Sequence, residues 1–407
     1  MGDLRVTRLD SGLTVAVECV PETRSVAAGV WVAVGSRDEP AERAGVSHFL
    51  EHLLFKGTAT RTGRQISRSV DRMGGDFNAF TTREYTAYYC RLSARHMTSA
   101  VELLGDVLTA PALRADDVDS ERQVILEELS MDDDMPDDVA HREFAWRVFD
   151  GHPLGRNPAG SRQTVKAITT EDIRSFFDGH YRAEQMVVSI ASPVGHAEVL
   201  AAVELAFGDV RRGAAPISRT APVSMGPSVS IDDDSEQLHI VVGGHGLPRT
   251  DPDAEVLDVV NHVLGGGLSS RLFDVIREQR GLAYSVFSGV SPFSDSGSYE
   301  LYAGTSPEHG DEVIALMLGE LHRLRREGVD DEELAVAVGY LTGAFELGLE
   351  DNGARMARTA SQLVTVGDVR PIHEQLALWE GVDHTAIRRV IDRVLTVEPL
   401  VVTVGPR

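Results

Sequence analysis

Apolar residues along this chain follow two patterns. Short runs rich in β-branched residues, at 13–17, 26–34 and 86–92, are bounded by turn-forming residues and predict β-strands. Between and beyond them, at 45–56, 62–73, 96–108, 117–131 and 170–180, apolar positions recur three and four apart, the period of an amphipathic helix. Strands in groups beside several helices, rather than in strict alternation with them, predict an α+β fold in which helices layer onto sheets.

The same order of patterns occurs twice. A helix at 47–54, the segment 72–80, a strand and the helix at 96–108 form one series. A helix at 258–264, the segment 279–287, a strand at 299–303 and a helix at 312–325 form the other. The offset is close to constant (262 − 52 = 210; 280 − 73 = 207). It far exceeds the roughly 20–50 residues of solenoid repeats, so the pattern predicts duplication of a whole domain. Residues 211–226 are rich in Pro, Gly and Ser and nearly free of apolar periodicity, as a linker is. The expected organisation is an N-terminal domain at 1–212, a linker at 213–228 and a homologous C-terminal domain at 229–407. Each domain is large enough to bury its own core.

Charge and composition narrow the function classes. A formal net charge of −24 repels phosphate backbones and argues against a nucleic-acid partner. No apolar run approaches the roughly 18 residues of a membrane span, and the first ten residues carry no apolar signal region. A cytoplasmic protein without membrane attachment is therefore expected. Two cysteines, Cys19 and Cys90, are too few for a disulfide scaffold or a Cys-rich zinc module.

The candidate chemistry lies in Ser47-His48-Phe-Leu-Glu51-His52-Leu-Leu-Phe-Lys-Gly57. On a helix, His48 and His52 stand one turn apart on one face and aim two imidazoles at a common point, as paired ligands of a tetrahedral zinc do. Glu51 sits beside them, placed to take a proton rather than to bind metal. Val46, Phe49, Leu50, Leu53, Leu54 and Phe55 surround the trio, so the helix is expected to be buried. A buried Glu–His pair could also be a satisfied core network. The segment 117–131 favours the metal. At about 100° per residue, Glu121 and Glu128 differ by about 700° and share a face, while Glu127 falls on the polar side. Val124, Ile125 and Leu129 are expected to flank that face. Carboxylates on an apolar stripe are costly unless a cation neutralises them. Glu128 then completes a His₂Glu set with an open fourth position, and Glu121 orients a ligand histidine or assists proton transfer.

These residues, with Gly74-Gly-Asp-Phe-Asn78-Ala79-Phe-Thr81, resemble the pitrilysin-type inverzincin zinc peptidases, closest to the mitochondrial processing peptidase-like branch and its short bacterial members. The resemblance continues through His152-Pro-Leu-Gly-Arg156 and 264–284 and so covers nearly the whole chain. It implies one zinc ion per chain on His48, His52 and Glu128, with Glu51 as general base and Glu121 in the active site. It also implies that Arg277 and Tyr284 meet substrate, and that Asn78 and Ala79 belong to an edge strand pairing with it. Two homologous domains, each a mainly antiparallel sheet packed with helices, are implied to enclose a chamber, and the chain to form a homodimer or pair with a related subunit. One departure is Ala183-Glu-Gln-Met186, where the family often has Pro-x-Asn-Met. All motif carboxylates and histidines are kept, unlike in inactive sister subunits. The expected function is zinc-dependent endopeptidase action on short or unfolded peptides; the alternative is a non-catalytic peptide-binding or scaffold subunit. From the residues alone, Asn78 fits a turn as well as a strand, and Tyr284 fits an ordinary core position.

Other motifs are expected to be structural. His141, His152, His245 and His262 lack partners at ligand spacing, and Gly265–267 lacks the Lys-Ser/Thr of a phosphate loop. The acidic run 132–138 lacks the spacing of a calcium loop.

Overall fold

The computed structural model describes residues 2–215, 217–395 and 398–406; Pro216, inside the anticipated linker, lies outside them. The strands in chain order are β1 Asp3–Arg8, β2 Thr14–Cys19, β3 Ser25–Val32, β4 Asp76–Thr81, β5 Thr86–Ser93, β6 Met186–Ser192, β7 Val229–Asp232, β8 Leu238–His245, β9 Ala283–Pro292, β10 Gly297–Thr305 and β11 Leu400–Gly405. They form a sheet in the order β1-β2-β6-β3-β5-β4 and another in the order β7-β11-β8-β10-β9. Each sheet is antiparallel apart from one parallel pair, β2 with β6 and β7 with β11. Without β1, the first order maps strand for strand onto the second. The duplication expected from the sequence is thus written into the topology, and both halves are α+β.

By internal contacts the chain divides into two units, and neither is one continuous stretch. The first comprises Met1–Leu129, Asn157–Ser218 and Leu347–Val369; the second comprises Ser130–Arg156, Arg219–Glu346 and Arg370–Arg407. The change from one to the other at Ser218 and Arg219 falls within the anticipated linker, but the contiguous domains 1–212 and 229–407 account for neither outlying segment. The physical reason lies in the strands. In β3, Val26, Ala28, Val30 and Val32 enter the main core, while Ala27 and Trp31 on the opposite face are also buried. A strand buried on both faces needs cover on both. In the first unit the helix Asn352–Thr365 supplies it, laying Met356 and Ala360 against Ala27, Trp31, Ala87, Val187 and Ala191. The second unit repeats the device with Pro136–Val148, whose Ala140, Phe144 and Val148 cluster with Val241, Tyr302, Leu400, Val402 and Val404.

On its other face the first sheet carries the helices that build the site. Thr62 caps the helix Gly63–Met73 through a reciprocal box with Gln65, and Gly74, at φ 72°, ends it and turns the chain into β4. Among the described residues β4 pairs only with β5, from Asp76 opposite Arg91 to Thr81 opposite Thr86, and so forms the sheet's edge. Among the described residues, no helix is long and apolar enough to cross a membrane.

Candidate metal centre

The helix Val46–Leu54 buries Val46, Phe49, Leu50, Leu53 and Leu54 in the main core of the first unit. That leaves His48, Glu51 and His52 on the remaining stripe. Its N-terminus is held by Glu39, whose carboxylate accepts from the N–H groups of Gly45 and Ser47, both at 2.7 Å. A buried carboxylate there satisfies orphan donors and complements the helix dipole. Glu39 stands outside the helix in an irregular stretch, so no periodicity marks it in the sequence.

The helix Ala115–Asp133 faces this one with a stripe of Val118, Ile125 and Leu129 in the same core. Val124 does not flank that stripe as expected; it is 42% exposed, because its phase turns it outward. The two helices are tied by Arg122, which stacks 5.4 Å from the Phe49 ring centroid and donates to the Val165 carbonyl. From this helix Glu121 is buried and Glu128 half-exposed.

The donor atoms of His48, His52 and Glu128 all lie within 4.8 Å of one another. Glu128 Oε2 is 3.5 Å from His52 Nε2 and 3.9 Å from His48 Nε2. Ligands about 2.1 Å from a tetrahedral ion stand about 3.4 Å apart, so the set fits zinc with small adjustments. Electrostatics agree. Burial, then the neighbouring His52, holds His48 down to about 4, so its ring is neutral and keeps a lone pair to give. The buried Nδ1 of His48 has no hydrogen-bond partner among the described residues. Glu121 Oε2 lies 3.2 Å from His52 Nδ1, which with the proton on Nδ1 leaves Nε2 free toward Glu128. The other Glu121 oxygen pairs with Lys56. Glu51 is turned to β4, where the Thr81 hydroxyl donates to its Oε2 at 2.6 Å. Burial raises the Glu51 carboxyl above its ordinary value, and the Thr81 hydrogen bond opposes this.

The structure therefore gathers His48, His52, Glu51, Glu121 and Glu128 around one point. Thr81 and Lys56 join them. Both stand inside segments already singled out, but the partner of each is fixed only by three-dimensional packing. Asn78 and Ala79 lie on β4, in a strand rather than a turn, and Asn78 Oδ1 accepts from the Ala79 N–H at 2.8 Å. Arg277 and Tyr284 form a pair of their own within the second unit. Arg277 donates to the Tyr284 carbonyl at 2.8 Å and lies 4.4 Å over its ring. Tyr284 is 80% exposed on edge strand β9, not a core residue. Of the histidines expected to be structural, His141 meets Glu300 at 3.4 Å, His245 the Val148 carbonyl at 2.6 Å and His152 the Thr220 carbonyl at 2.8 Å. The His262 ring makes no hydrogen bond among the described residues and stacks on Tyr340 at 4.3 Å between centroids.

Comparison with known proteins agrees in fold and sequence. Residues 14–161 match the model for insulinase (peptidase family M16), and residues 167–341 match the model described as peptidase M16 inactive domain. An uncharacterized zinc protease of Streptomyces coelicolor is 40% identical over 100% of this chain and 90% of its own length. The uncharacterized zinc protease YmxG of Bacillus subtilis is 31% identical, with 97% of both chains covered. Among solved structures, a peptidase M16 inactive domain from Pseudomonas fluorescens superposes with a TM-score of 0.93 at 20% identity, covering 100% of this chain and 98% of that one. A protease from Helicobacter pylori gives 0.91 at 23% identity, with 100% of both chains covered. At such identities the structures speak for the fold alone, but the sequence relatives carry the assignment further: the chain belongs to the insulinase family, peptidase family M16, as a short pitrilysin-like member.

Proposed function

We propose that this protein is a zinc-dependent endopeptidase that hydrolyses short or unfolded peptides, with His48, His52 and Glu128 as the ligands of one zinc ion per chain. The observation that carries the proposal is the convergence of these three donors beside a buried carboxylate, Glu51, that is not one of them. A zinc ion held there supplies Lewis acidity, lowering the pKa of a coordinated water to about 7 and polarising a carbonyl oxygen. Glu51 then acts as general base and afterwards as acid toward the leaving amine. Because Thr81 occupies Oε2, the proton is held at Oε1. Burial makes Glu51 a stronger base than a surface carboxylate and places its proton affinity nearer neutrality. Glu121 fixes the His52 tautomer, and Lys56 balances the charge of Glu121.

An extended peptide adds to the open edge of β4 by main-chain bonds, which bring affinity without strict sequence demands. Asn78 must release the Ala79 N–H for that bond to form. Arg277 and Tyr284 are assigned to substrate contact, as an exposed pair already held in one geometry. A homodimer, or pairing with a related subunit, belongs to the same proposal; a single-chain mass in sedimentation would refute it.

Metal analysis and a peptide-digestion assay with and without chelator test the proposal. One zinc per chain and chelator-sensitive cleavage are expected. The competing reading, a peptide-binding or scaffold subunit without catalysis, requires binding with no metal-dependent cleavage. Two variants test the supporting residues. Thr81→Val should lower kcat about tenfold with zinc content unchanged, and Thr81→Ser should restore most of it. Glu121→Gln should weaken zinc retention by about 10–100-fold in chelator competition, because His52 loses its charged partner.

A further inference from the structure

The duplication gives the second unit its own counterpart of the metal centre, with altered residues. The helix Ala254–Asn261, continued by a π-turn at His262–Gly266, answers to Val46–Leu54, and Asp331–Gly348 answers to Ala115–Asp133. The offsets put Asp258 and His262 in the places of His48 and His52 (258 − 48 = 210; 262 − 52 = 210). They put Glu333 and Tyr340 in the places of Glu121 and Glu128 (333 − 121 = 212; 340 − 128 = 212). One imidazole therefore survives and the third ligand has become a phenol, whose ring stacks on His262 at 4.3 Å between centroids and 22° between planes. Asp258 is taken by the Trp379 indole N–H at 3.4 Å. Among the described residues, no three-donor metal group forms here.

What does form is a cavity of about 160 Å³, lined by His262, Val263, Ser270 and Val336 together with Asp330, Glu332 and Glu333. A void of about 150 Å³ accommodates a ring the size of benzene, so this one exceeds the needs of a bare ion. His262 is only 6% exposed and Ser270 4%. The buried Ser270 hydroxyl has no hydrogen-bond partner among the described residues, and the His262 ring, stacked on Tyr340, makes no hydrogen bond to them. Burial lowers the pKa of His262, so the ring stays neutral and offers an acceptor nitrogen. Buried polar groups left unpartnered cost stability unless something fills the place.

The charged side chains that line this cavity are acidic. Glu333 is spent on Arg271, which meets its two oxygens at 2.6 and 2.7 Å. Asp330 and Glu332 are exposed and form no salt bridge among the described residues, although Asp330 Oδ1 accepts from the Glu333 N–H at 2.9 Å and so caps the helix Asp331–Gly348. Two acceptors inside, apolar flanks at Val263 and Val336 and two carboxylates without a salt-bridge partner call for a cation that carries hydrogen-bond donors on an apolar stem. An anion is repelled, and a neutral alcohol leaves the carboxylates unanswered. We propose that this cavity binds a primary alkylammonium group, as carried by a peptide lysine side chain or a free aliphatic amine, through the His262 ring nitrogen and the Ser270 hydroxyl in the field of Asp330 and Glu332.

The test is calorimetric titration of the full-length Glu51→Gln chain, which prevents peptide turnover, with n-pentylamine, n-pentanol, a blocked Ala-Lys-Ala tripeptide and the same tripeptide acetylated on the lysine Nε. Saturable binding of the amine, but of neither the alcohol nor the acetylated peptide, is expected. Binding of the unmodified tripeptide identifies a peptide source, and binding of the amine alone a free one. His262→Phe keeps the stack on Tyr340 and should weaken binding about tenfold. Glu332→Gln, at an exposed site that leaves folding untouched, should weaken it several-fold. No saturable amine binding, equal binding of pentanol, or binding that survives both substitutions overturns the proposal. So does zinc alone binding to a His48→Ala chain in a manner abolished by His262→Phe, since an ion is then the occupant. None of these outcomes depends on whether the first unit cleaves peptides.

Discussion

Glu51→Gln should lower kcat for peptide cleavage by about 10²–10⁴-fold while the protein keeps one zinc per chain. The substitution is close to isosteric and touches no proposed ligand. An uncharged amide is also easier to bury than a carboxylate whose burial already raises its proton affinity. The Thr81 hydroxyl, which donates to Oε2 at 2.6 Å, can donate equally to the amide oxygen, so the side chain should keep its place beside His52. What an amide cannot do is accept a proton at neutral pH. The decisive measurement is paired: mass mapping of fragments from a mixed peptide library, and metal content, on the same wild-type and variant preparations. Undiminished cleavage with zinc bound removes Glu51 as the base. Loss of zinc instead shows that Glu51 supports the metal rather than the proton transfer.

Zinc retention separates the proposed ligands from their supports in the same way, and the two are not equally legible in the sequence. His48 and His52 announce themselves by four-residue spacing on an apolar helix, and the choice of Glu128 over Glu127 follows from helical phase alone. Both signals are local, and periodicity carries local signals. Thr81, Lys56 and Glu39 act on the same cluster through partners 30, 65 and 6–8 residues away, and no period connects such positions. The exposed ring of Tyr284 shows a related limit. Within 279–287 it looks like any aromatic in a strand, and only the place of β9 at the sheet edge turns it outward. His262 lacks ligand spacing and so reads as structural in the sequence, yet among these four histidines its ring is the one with no hydrogen-bond partner among the described residues. Duplication was legible as an offset, but what each copy had become at equivalent positions required the packing.

The discontinuous make-up of the first unit leads to the second large effect: Ala360→Asp should destabilise the protein by about 3–5 kcal/mol. Ala360 is fully buried in the helix Asn352–Thr365, against the face of the first sheet that carries Ala27, Trp31, Ala87, Val187 and Ala191. Those partners are methyl and aromatic groups, so a carboxylate placed among them finds no cation and must either ionise without solvent or take up a proton. The helix cannot simply lift away. Asn352 donates to the Ser25 carbonyl at 3.0 Å, Ser189 donates to the Met356 carbonyl at 3.0 Å, and Arg355 pairs with the buried Glu18. A shift that rescues the aspartate would break these bonds as well. At about 2–4 °C per kcal/mol for a unit of this size, the melting temperature should fall by about 6–20 °C. Ala354→Asp is the control, the same change on the exposed side of the same helix near its N-terminus, where a negative charge is tolerated, and it should stay within about 0.5 kcal/mol. If the two variants melt alike, residues 347–369 are a surface appendage. If Ala360→Asp alone collapses, a chain made of 1–218 without them should be insoluble, because the cover for Trp31 arrives from more than 300 residues later in the sequence (356 − 31 = 325).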